Sequence, residues 1–397
     1  MTTTKAIHAD GLRVAGAVLV AALLLAGLIS PAYGKKDPEK KNVKGAPTAA
    51  ATVDASKLVW PPPPDVTRVK WLAMVSGEDD LNPTPLKKRK KSWMDRMAGV
   101  SLPGDSGKPR LLKPYGVAVD SKGLIYVADA GQAAIFVFDL ENRKVKMRGA
   151  QMLQTPSGIV IDDEDRLFIA DSTQHEIFVV RPDGGLEGAF GQDRLGRPVG
   201  VAIDNENRFL YVVDAQAGRL VVFDADTMKF LRYIGKPSDD MALPGTFSSP
   251  TNVAVNSDGD VYVTDTFNSR VQVFNADGEF VRLFGKQGAN PGMFMRPKGI
   301  AIDGDDHVYV VDSEFNNVQV FDREGRVLMF FGDRGETAGS FTLATGIAID
   351  RQNRVIVSEQ WNGRIQVFQY VSDKEAAPQY EKQAKAEAER AKNGAGK

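Results

Sequence analysis

Short runs of alternating hydrophobic and polar residues fill most of this chain, and they recur in a fixed order. One six-residue phrase, with apolar residues at its third and fifth positions and Asp or Asn at its end, occurs six times. The copies are Tyr115-Gly-Val-Ala-Val-Asp120, Ser157-Gly-Ile-Val-Ile-Asp162, Val199-Gly-Val-Ala-Ile-Asp204, Thr251-Asn-Val-Ala-Val-Asn256, Lys298-Gly-Ile-Ala-Ile-Asp303 and Thr345-Gly-Ile-Ala-Ile-Asp350. Their last residues are 42, 42, 52, 47 and 47 positions apart, which indicates one structural unit repeated six times.

Each copy is followed by further short apolar segments that predict more strands. The second segment of every repeat ends in an acid, and these six acids are Asp129, Asp171, Asp214, Asp265, Asp312 and Glu359. A third segment follows each time, and a fourth is clear at 280–284 and 327–331. Four short strands within about 40–50 residues form a propeller blade. Because one such sheet cannot bury both faces alone, the repeats predict an all-β, six-bladed β-propeller.

The ring of blades must also close, and the sixth repeat ends after its third strand. Residues 68–75 lie before the first blade and are similar to 280–284, and a glycine follows closely in both places, at Gly77 and Gly285. We predict that this N-terminal strand pairs with the last blade and removes its free edge.

The chain outside the repeats divides into three predicted parts. Residues 1–34 are predicted to be a signal peptide, because a 16-residue apolar run at 14–29 is followed by small residues at Ala32 and Gly34. A membrane span usually needs about 20 residues, so an uncleaved inner-membrane anchor at 14–29 is the alternative. Residues 35–64 are predicted to be a disordered, Pro-rich linker, 65–370 the propeller, and 371–397 a charged helical or disordered tail. Both alternatives place the propeller outside the cytoplasm, in the periplasm or secreted.

Composition narrows the chemistry that this chain can perform. It contains no cysteine, which excludes disulfides, thiolate metal sites and thiol catalysis. The formal net charge is -1, so no bias toward nucleic acid is present and no nucleic-acid partner is expected.

The repeats resemble those of the NHL-repeat family. The resemblance is carried by Asp265-Thr-Phe-Asn-Ser-Arg-Val-Gln-Val-Phe274, Trp361-Asn-Gly-Arg-Ile-Gln-Val-Phe368 and Phe294-Met-Arg-Pro-Lys-Gly-Ile-Ala-Ile-Asp303. It covers residues 66–370 and is strongest in the last three blades. The resemblance implies a partner-binding module, although a few members of the family are lyases or hydrolases. Similar exported bacterial proteins are associated with multihaem cytochrome systems, which are therefore an expected source of the partner.

The candidate binding residues lie in loops on one face of the predicted propeller. In a four-stranded antiparallel blade, the loops that lead into the first strand and those that join the second and third strands share one face, here called the top. Three blades place an aromatic residue beside an amide there, and Asn252 begins the first strand of blade four. The predicted partner-binding residues are Phe267, Asn268, Phe315, Asn316, Trp361, Asn362 and Asn252. In the alternative interpretation the rings only cover blade junctions.

A second candidate surface is a basic loop before blade one, formed by Lys87, Lys88, Arg89, Lys90 and Lys91. Trp93, Met94 and Met97 follow at helical spacing, so residues 87–97 are predicted to form an amphipathic helix that contacts an anionic partner or lipid headgroups. The alternative is a solvated charge run whose apolar stripe packs on the propeller.

The sequence gives little support for catalysis. His175 and His307 are expected on opposite faces, and the first-strand positions that hydrolase-like propellers use are glycine except at Asn252. The six acids are interpreted as structural, with Arg219, Arg270 and Arg364 as partners of three of them. No catalytic residue, metal or cofactor is predicted, and the chain is expected to be a non-catalytic scaffold for a protein partner. The alternative is a metal-dependent hydrolase or lyase that acts on a small molecule at the central channel and uses these acids.

Overall fold

A computed structural model describes residues 54, 57–83, 108–237, 240 and 243–394 of the chain. The predicted signal or anchor segment at 1–34, most of the predicted linker, the basic loop at 87–91 and the end of the tail lie outside these residues.

The described residues form six antiparallel blade sheets. Blades one to five have four strands each in sequence order, and the sheet of blade six has five, because two strands that precede blade one join it. Two strands precede blade one, β1 (Val59–Trp60) and β2 (Val69–Val75). The first three blades contain β3 (Pro114–Val119), β4 (Ile125–Asp129), β5 (Ala134–Asp139), β6 (Lys144–Arg148), β7 (Pro156–Ile161), β8 (Leu167–Asp171), β9 (Glu176–Val180), β10 (Leu186–Phe190), β11 (Pro198–Asp204), β12 (Phe209–Asp214), β13 (Arg219–Asp224) and β14 (Phe230–Ile234). A short parallel pair, β15 (Lys236–Pro237) and β16 (Thr246–Phe247), connects blades three and four.

The last three blades follow the same plan. They contain β17 (Pro250–Val255), β18 (Val261–Asp265), β19 (Arg270–Phe274), β20 (Phe280–Phe284), β21 (Pro297–Ile302), β22 (Val308–Asp312), β23 (Asn317–Phe321), β24 (Val327–Phe331), β25 (Ala344–Ile349), β26 (Arg354–Glu359) and β27 (Arg364–Tyr370). The prediction of a six-bladed, all-β propeller is confirmed, since the described helices are few and peripheral.

The blades form a closed ring because their innermost strands contact one another all the way round. The order of contact is β3, β7, β11, β17, β21, β25 and back to β3. Six hydrophobic clusters fill the junctions, one between each pair of neighbouring blades. Tyr309 of blade five and Phe368 of blade six, both fully buried, belong to the same cluster. Each sheet therefore buries both faces against its neighbours, which an isolated blade cannot do.

The predicted closure by an N-terminal strand is confirmed. Strand β2 pairs antiparallel with β27, so that Val69 lies opposite Tyr370 and Val75 opposite Ile365. Strand β1 extends the same sheet to five strands, in a segment that the sequence assigns to the linker. Trp60 packs edge-on against Phe368, with the ring centroids 5.8 Å apart. Trp60 is partly buried and packs against the cluster between blades five and six, and this contact holds β1 on the propeller.

Two α-helices of the described residues lie outside the ring. The short α1 (Glu78–Leu81) follows β2, and α2 (Asp373–Gly394) begins directly after the closing sheet. Arg68 lies 2.6 Å from Asp373 and donates to the hydroxyl of Tyr370, which ties the start of α2 to the closing strand. Within the described residues, neither helix has the length and apolarity that crossing a membrane requires.

Candidate functional site

The six acids that end the second strands are fully buried beneath the top face. Each accepts hydrogen bonds from backbone N–H groups of the loop that leads into the first strand of its own blade. Leu112 and Lys113 donate to Asp129 at 2.7 and 3.0 Å, and Thr342 donates to Glu359 at 2.9 Å. Hydrogen bonds to an ionised acceptor are strong, so each acid fixes the position of one top loop. This is the structural role that the sequence indicates.

The arginines that follow three of these acids do not all behave alike. Arg270 lies 2.9 Å from Asp265 and Arg364 lies 2.5 Å from Glu359, as predicted. Arg219 instead lies over the ring of Tyr233, 3.7 Å from its centroid. The prediction of a third ion pair is therefore wrong, because an aromatic residue on the outer strand of that blade offers the guanidinium a cation–π contact.

The first strand of every blade bulges directly after its first residue. In blade one, Pro114 lies opposite Asp129, but the regular ladder resumes only at Val117. Five blades thereby release two residues at the rim of the central channel, and blade four releases one, Thr251. A Cβ added to Gly116 would lie 2.5 Å from the carbonyl oxygen of Ser157 in the next blade. Glycine is required there because neighbouring backbones touch.

The released residues line the top end of the channel, here called the upper mouth, which holds a cavity of about 110 Å³. Its charged and hydrogen-bonding wall residues are Tyr115, Ser157, Arg197, Thr251, Asn252, Lys298 and Thr345. No carboxylate belongs to this wall among the residues that the structure describes. Asn252 lies where the sequence places it, and its Oδ1 accepts the N–H of Val253 at 2.9 Å. Arg197 and Lys298 make the upper mouth electropositive.

The predicted aromatic residues differ in how far they reach into solvent. Trp361 is 73% exposed and Phe267 is 64% exposed, whereas Phe315 is half-buried. Two of the three rings therefore present most of their surface to solvent from the top loops, as a partner-contacting residue must.

The three amides beside these rings are engaged within the propeller. Asn268 donates to Asp265 at 2.7 Å and Asn362 donates to Glu359 at 2.9 Å. Asn316 is buried, and its Oδ1 accepts the backbone N–H of Leu343 at 2.7 Å. Because these hydrogen bonds hold the top loops, the rings and not the amides remain for a partner.

Two exposed leucines that sequence reasoning missed extend the aromatic surface. Leu343 is 38% exposed and accepts the backbone N–H of Gln360, the residue before Trp361, at 3.1 Å. Leu112 is 53% exposed, and a Cβ added to Gly363 would lie 2.5 Å from the carbonyl oxygen of the preceding Leu111. The loops of blades five, six and one thus touch in sequence around the ring.

We call this surface the apolar ridge. Its members are Phe267, Phe315, Leu343, Trp361 and Leu112. The sequence places both leucines in loops that lead into a first strand, which belong to the top face. Their exposure depends on packing between blades, which the repeats do not show.

The bottom face is built differently, from acidic turns that ion pairs link between blades. Arg208 lies 3.0 Å from Asp162 and 2.8 Å from Asp163 of the preceding blade. Arg323 lies 2.5 Å from Asp258, again one blade back. Turns whose carboxylates accept their own backbone N–H groups and a neighbouring arginine are explained by structure alone.

The two histidines of the propeller do not lie together. His175 lies in a top loop, where Nδ1 is 2.5 Å from the carbonyl oxygen of Gly196, whereas His307 lies in a bottom turn, 3.0 Å from Asp303. Residues Lys87, Lys88, Arg89, Lys90 and Lys91 lie outside the described residues. In the described part of the chain, no three His, Asp or Glu side chains are placed to hold a metal ion.

The family model and the solved structures similar to this chain agree on the fold. Residues 246–313 match the family model DUF5128, described as a 6-bladed beta-propeller. A segment of 46 residues is 44% identical to Protein brain tumor of Drosophila melanogaster, which corresponds to 12% of this chain and 4% of that protein. The B-box type zinc finger protein ncl-1 of Caenorhabditis elegans is 50% identical over 38 residues, 10% of this chain and 4% of that protein. The chain thus spans about 4% of the length of these curated relatives.

Solved structures with similar folds include proteins with different roles. A Bacteroides thetaiotaomicron protein of unknown function superposes with a TM-score of 0.55 at 17% identity, covering 65% of this chain and 70% of that one. An auxiliary nutrient binding protein from the same organism gives 0.53 at 15%, covering 66% and 70%. A gluconolactonase from Xanthomonas campestris gives 0.52 at 15%, covering 66% and 86%. At these identities the likeness shows the fold and leaves the role open.

Proposed function

We propose that this chain is a non-catalytic β-propeller of the NHL-repeat type that binds a protein partner through its top face. The observation that carries the proposal is the apolar ridge, in which Phe267 and Trp361 are 64% and 73% exposed. Aromatic anchors grouped on one surface are characteristic of protein-binding sites, where they supply most of the affinity.

The contrast with the bottom face supports this choice of surface. Among the described residues, the turns of the bottom face carry no exposed large hydrophobic side chain. An apolar group in water has an unfavourable free energy of hydration. Exposed apolar side chains also occur along the outer strands, as at Met147 and Leu186, but of the two loop faces only the top carries them, which favours the top face for binding.

The composition of the channel wall favours binding over bond cleavage. The channel cavity of about 220 Å³ is lined by backbone and by small or aliphatic side chains such as Ala118, Val201 and Ile300. The acids nearest the upper mouth are buried and hydrogen-bonded to the top loops. A hydrolase or lyase that used them would have to release those loops first.

The proposal includes export from the cytoplasm, for which the apolar run at 14–29 and the small residues after it are the support. The propeller then acts in the periplasm or after secretion, or is held at the inner membrane if that run remains uncleaved. An exported multihaem cytochrome system is the proposed source of the partner, and the basic segment 87–97 is a second proposed contact, with lipid headgroups or an anionic protein.

Photo-cross-linking in the native host tests this proposal. A photoreactive phenylalanine analogue is placed at position 361 on the top face and, as the matched control, at position 229 in an exposed bottom turn. We expect a specific cross-linked protein from position 361 only. The variant F267S/W361S should bind that protein at least tenfold more weakly with an unchanged melting temperature, since exposed anchors contribute to affinity and little to stability.

The control for the variant is M147S/L186S, which removes two exposed apolar side chains from the outer strands of blades one and two. It should bind the partner as the native chain does. Equal cross-linking from both positions, or full affinity of F267S/W361S, would show that the top face is not the binding surface.

A further inference from the structure

The residue directly before the first strand of each blade alternates between basic and uncharged around the ring. In blades one to six this residue is Lys113, Thr155, Arg197, Ser249, Arg296 and Leu343. Basic residues therefore occupy blades one, three and five, which is every second blade of the ring. The three lie far apart in sequence, so the closed ring is what brings them to one face.

The backbone holds these three residues in equivalent positions. Arg197 donates its N–H to the buried Asp214 at 2.9 Å, and its carbonyl oxygen accepts the N–H of Ala215 at 3.0 Å. Lys113 and Arg296 make the same two contacts in their own blades. Because the ring closes, the three cations occupy loops of alternate blades on the top face. Of the basic residues, Arg197 and Lys298 line the wall of the upper mouth itself.

These cations lack strong acidic partners. Within the described residues, no carboxylate oxygen lies within the 4.0 Å ion-pair distance of Lys113, Arg197 or Lys298. Arg296 has one contact at 3.8 Å to Glu314, and both side chains are more than half exposed. Pairs of that kind contribute little, so the charge at the upper mouth remains available to a ligand.

The opposite end of the channel has the opposite charge. Its cavity of about 190 Å³ is lined by Asp120, Asp162, Asp163, Asp165 and Asp350, with Arg351 as its one basic wall residue. A negatively charged group is therefore attracted to the upper mouth and repelled from the lower one, which orients its approach.

We propose that the upper mouth binds an acidic segment of the protein partner, in which carboxylates flank a hydrophobic residue that packs on the apolar ridge. This inference rests on the proposed function and adds the chemistry of the partner. A protein segment fits better than a nucleic acid because the basic wall residues, Arg197 and Lys298, lie at one small mouth, whereas a phosphate backbone requires a longer basic track.

Binding of a synthetic peptide tests the inference directly. The probe is a fluorescent octapeptide in which glutamates flank a leucine–tryptophan pair, and its control has glutamine at every glutamate position. Fluorescence anisotropy with the full chain should show roughly tenfold tighter binding of the glutamate peptide at low salt, and the difference should shrink as salt screens the charges. Equal binding of the two peptides, no binding of the glutamate peptide, or tighter binding of a mixed-sequence single-stranded oligonucleotide would overturn the inference.

A charge variant locates the site and separates this inference from the proposed function. We expect K113Q/R197Q/K298Q to bind the glutamate peptide roughly tenfold more weakly. The control K144Q/K146Q/K229Q, which removes three exposed lysines elsewhere, should bind it like the native chain. A partner captured through position 361 that binds the charge variant normally but not F267S/W361S would refute the acidic segment and leave the scaffold intact. Loss of binding in neither variant would refute the scaffold itself.

Discussion

The two faces of this propeller come from the same repeat, yet they differ in how many of their acidic residues reach the surface. On the top face the acids are buried and hold the loops from beneath, so that cations and apolar rings form the outer surface. On the bottom face Asp162, Asp204 and Asp303 are buried within their turns, but Asp163 and Asp258 lie at the surface, where Arg208 and Arg323 pair with them across blade boundaries. The burial of an acid, and not its recurrence in the repeat, therefore decides whether it holds the structure together or faces solvent. The side chains that remain exposed determine which face can bind a partner.

The largest expected effect contrasts an acid of the top face with one of the bottom face. Asp265 accepts from Ser248 N and Arg270 Nε at 2.7 and 2.9 Å, so D265A leaves a buried guanidinium without its partner and should cost about 3–5 kcal/mol of unfolding free energy. Asp258 is paired only at the surface, so D258A should cost about 0.5 kcal/mol. Denaturant unfolding of both variants measures the difference, and similar losses would remove the distinction between the two faces.

A smaller effect is expected at the glycines. A Cβ at Gly346, beside the upper mouth, would overlap the carbonyl oxygen of Tyr115 in blade one, whereas a Cβ at Gly304 in a bottom turn meets nothing within 4 Å. We expect G346A to cost about 1–3 kcal/mol because neighbouring first strands must separate. G304A should change the free energy by less than about 0.5 kcal/mol. Thermal melting of both proteins checks the prediction, which fails if the two alanines are tolerated equally.

The smallest effect concerns pH at the bottom face. The hydrogen bond to Asp303 raises the pKa of His307, and this outweighs burial, which acts in the opposite direction. A histidine whose pKa is raised in the folded state stabilises fully below its ordinary pKa of about 6.5, and this contribution is lost as pH rises through the raised value. H307Q should therefore cost about 1–2 kcal/mol near pH 5.5 and clearly less near pH 9.

Unfolding of the native chain and H307Q at both pH values measures that dependence. A loss of stability that is the same at both would show that the charged form of His307 contributes nothing. A matched measurement on D265A should show a large loss of unfolding free energy at both pH values, because the buried guanidinium of Arg270 stays charged at both and has lost its carboxylate.

Much of the fold could be predicted from the sequence, because strand patterns and turns are local. The six copies of the phrase, the acid that ends each second strand and the strand at 68–75 that closes the ring were all apparent in this way. So were the aromatic positions Phe267, Phe315 and Trp361, since the repeats place them at equivalent points of their loops. These features depend on residues close in the chain, which hydrophobic periodicity reports directly.

The composition of the candidate site was decided only by the tertiary structure. Ring closure brings the loop of Trp361 in blade six against the loop of Leu112, which precedes blade one and is about 250 positions earlier in the chain. It also brings Arg197 and Lys298 to one mouth, and it places the amide oxygen of Asn316 in blade five where it accepts the backbone N–H of Leu343 in blade six. The physical reason is that exposure and partner choice follow from contacts between blades, and those contacts exist only once six sheets have closed into a circle.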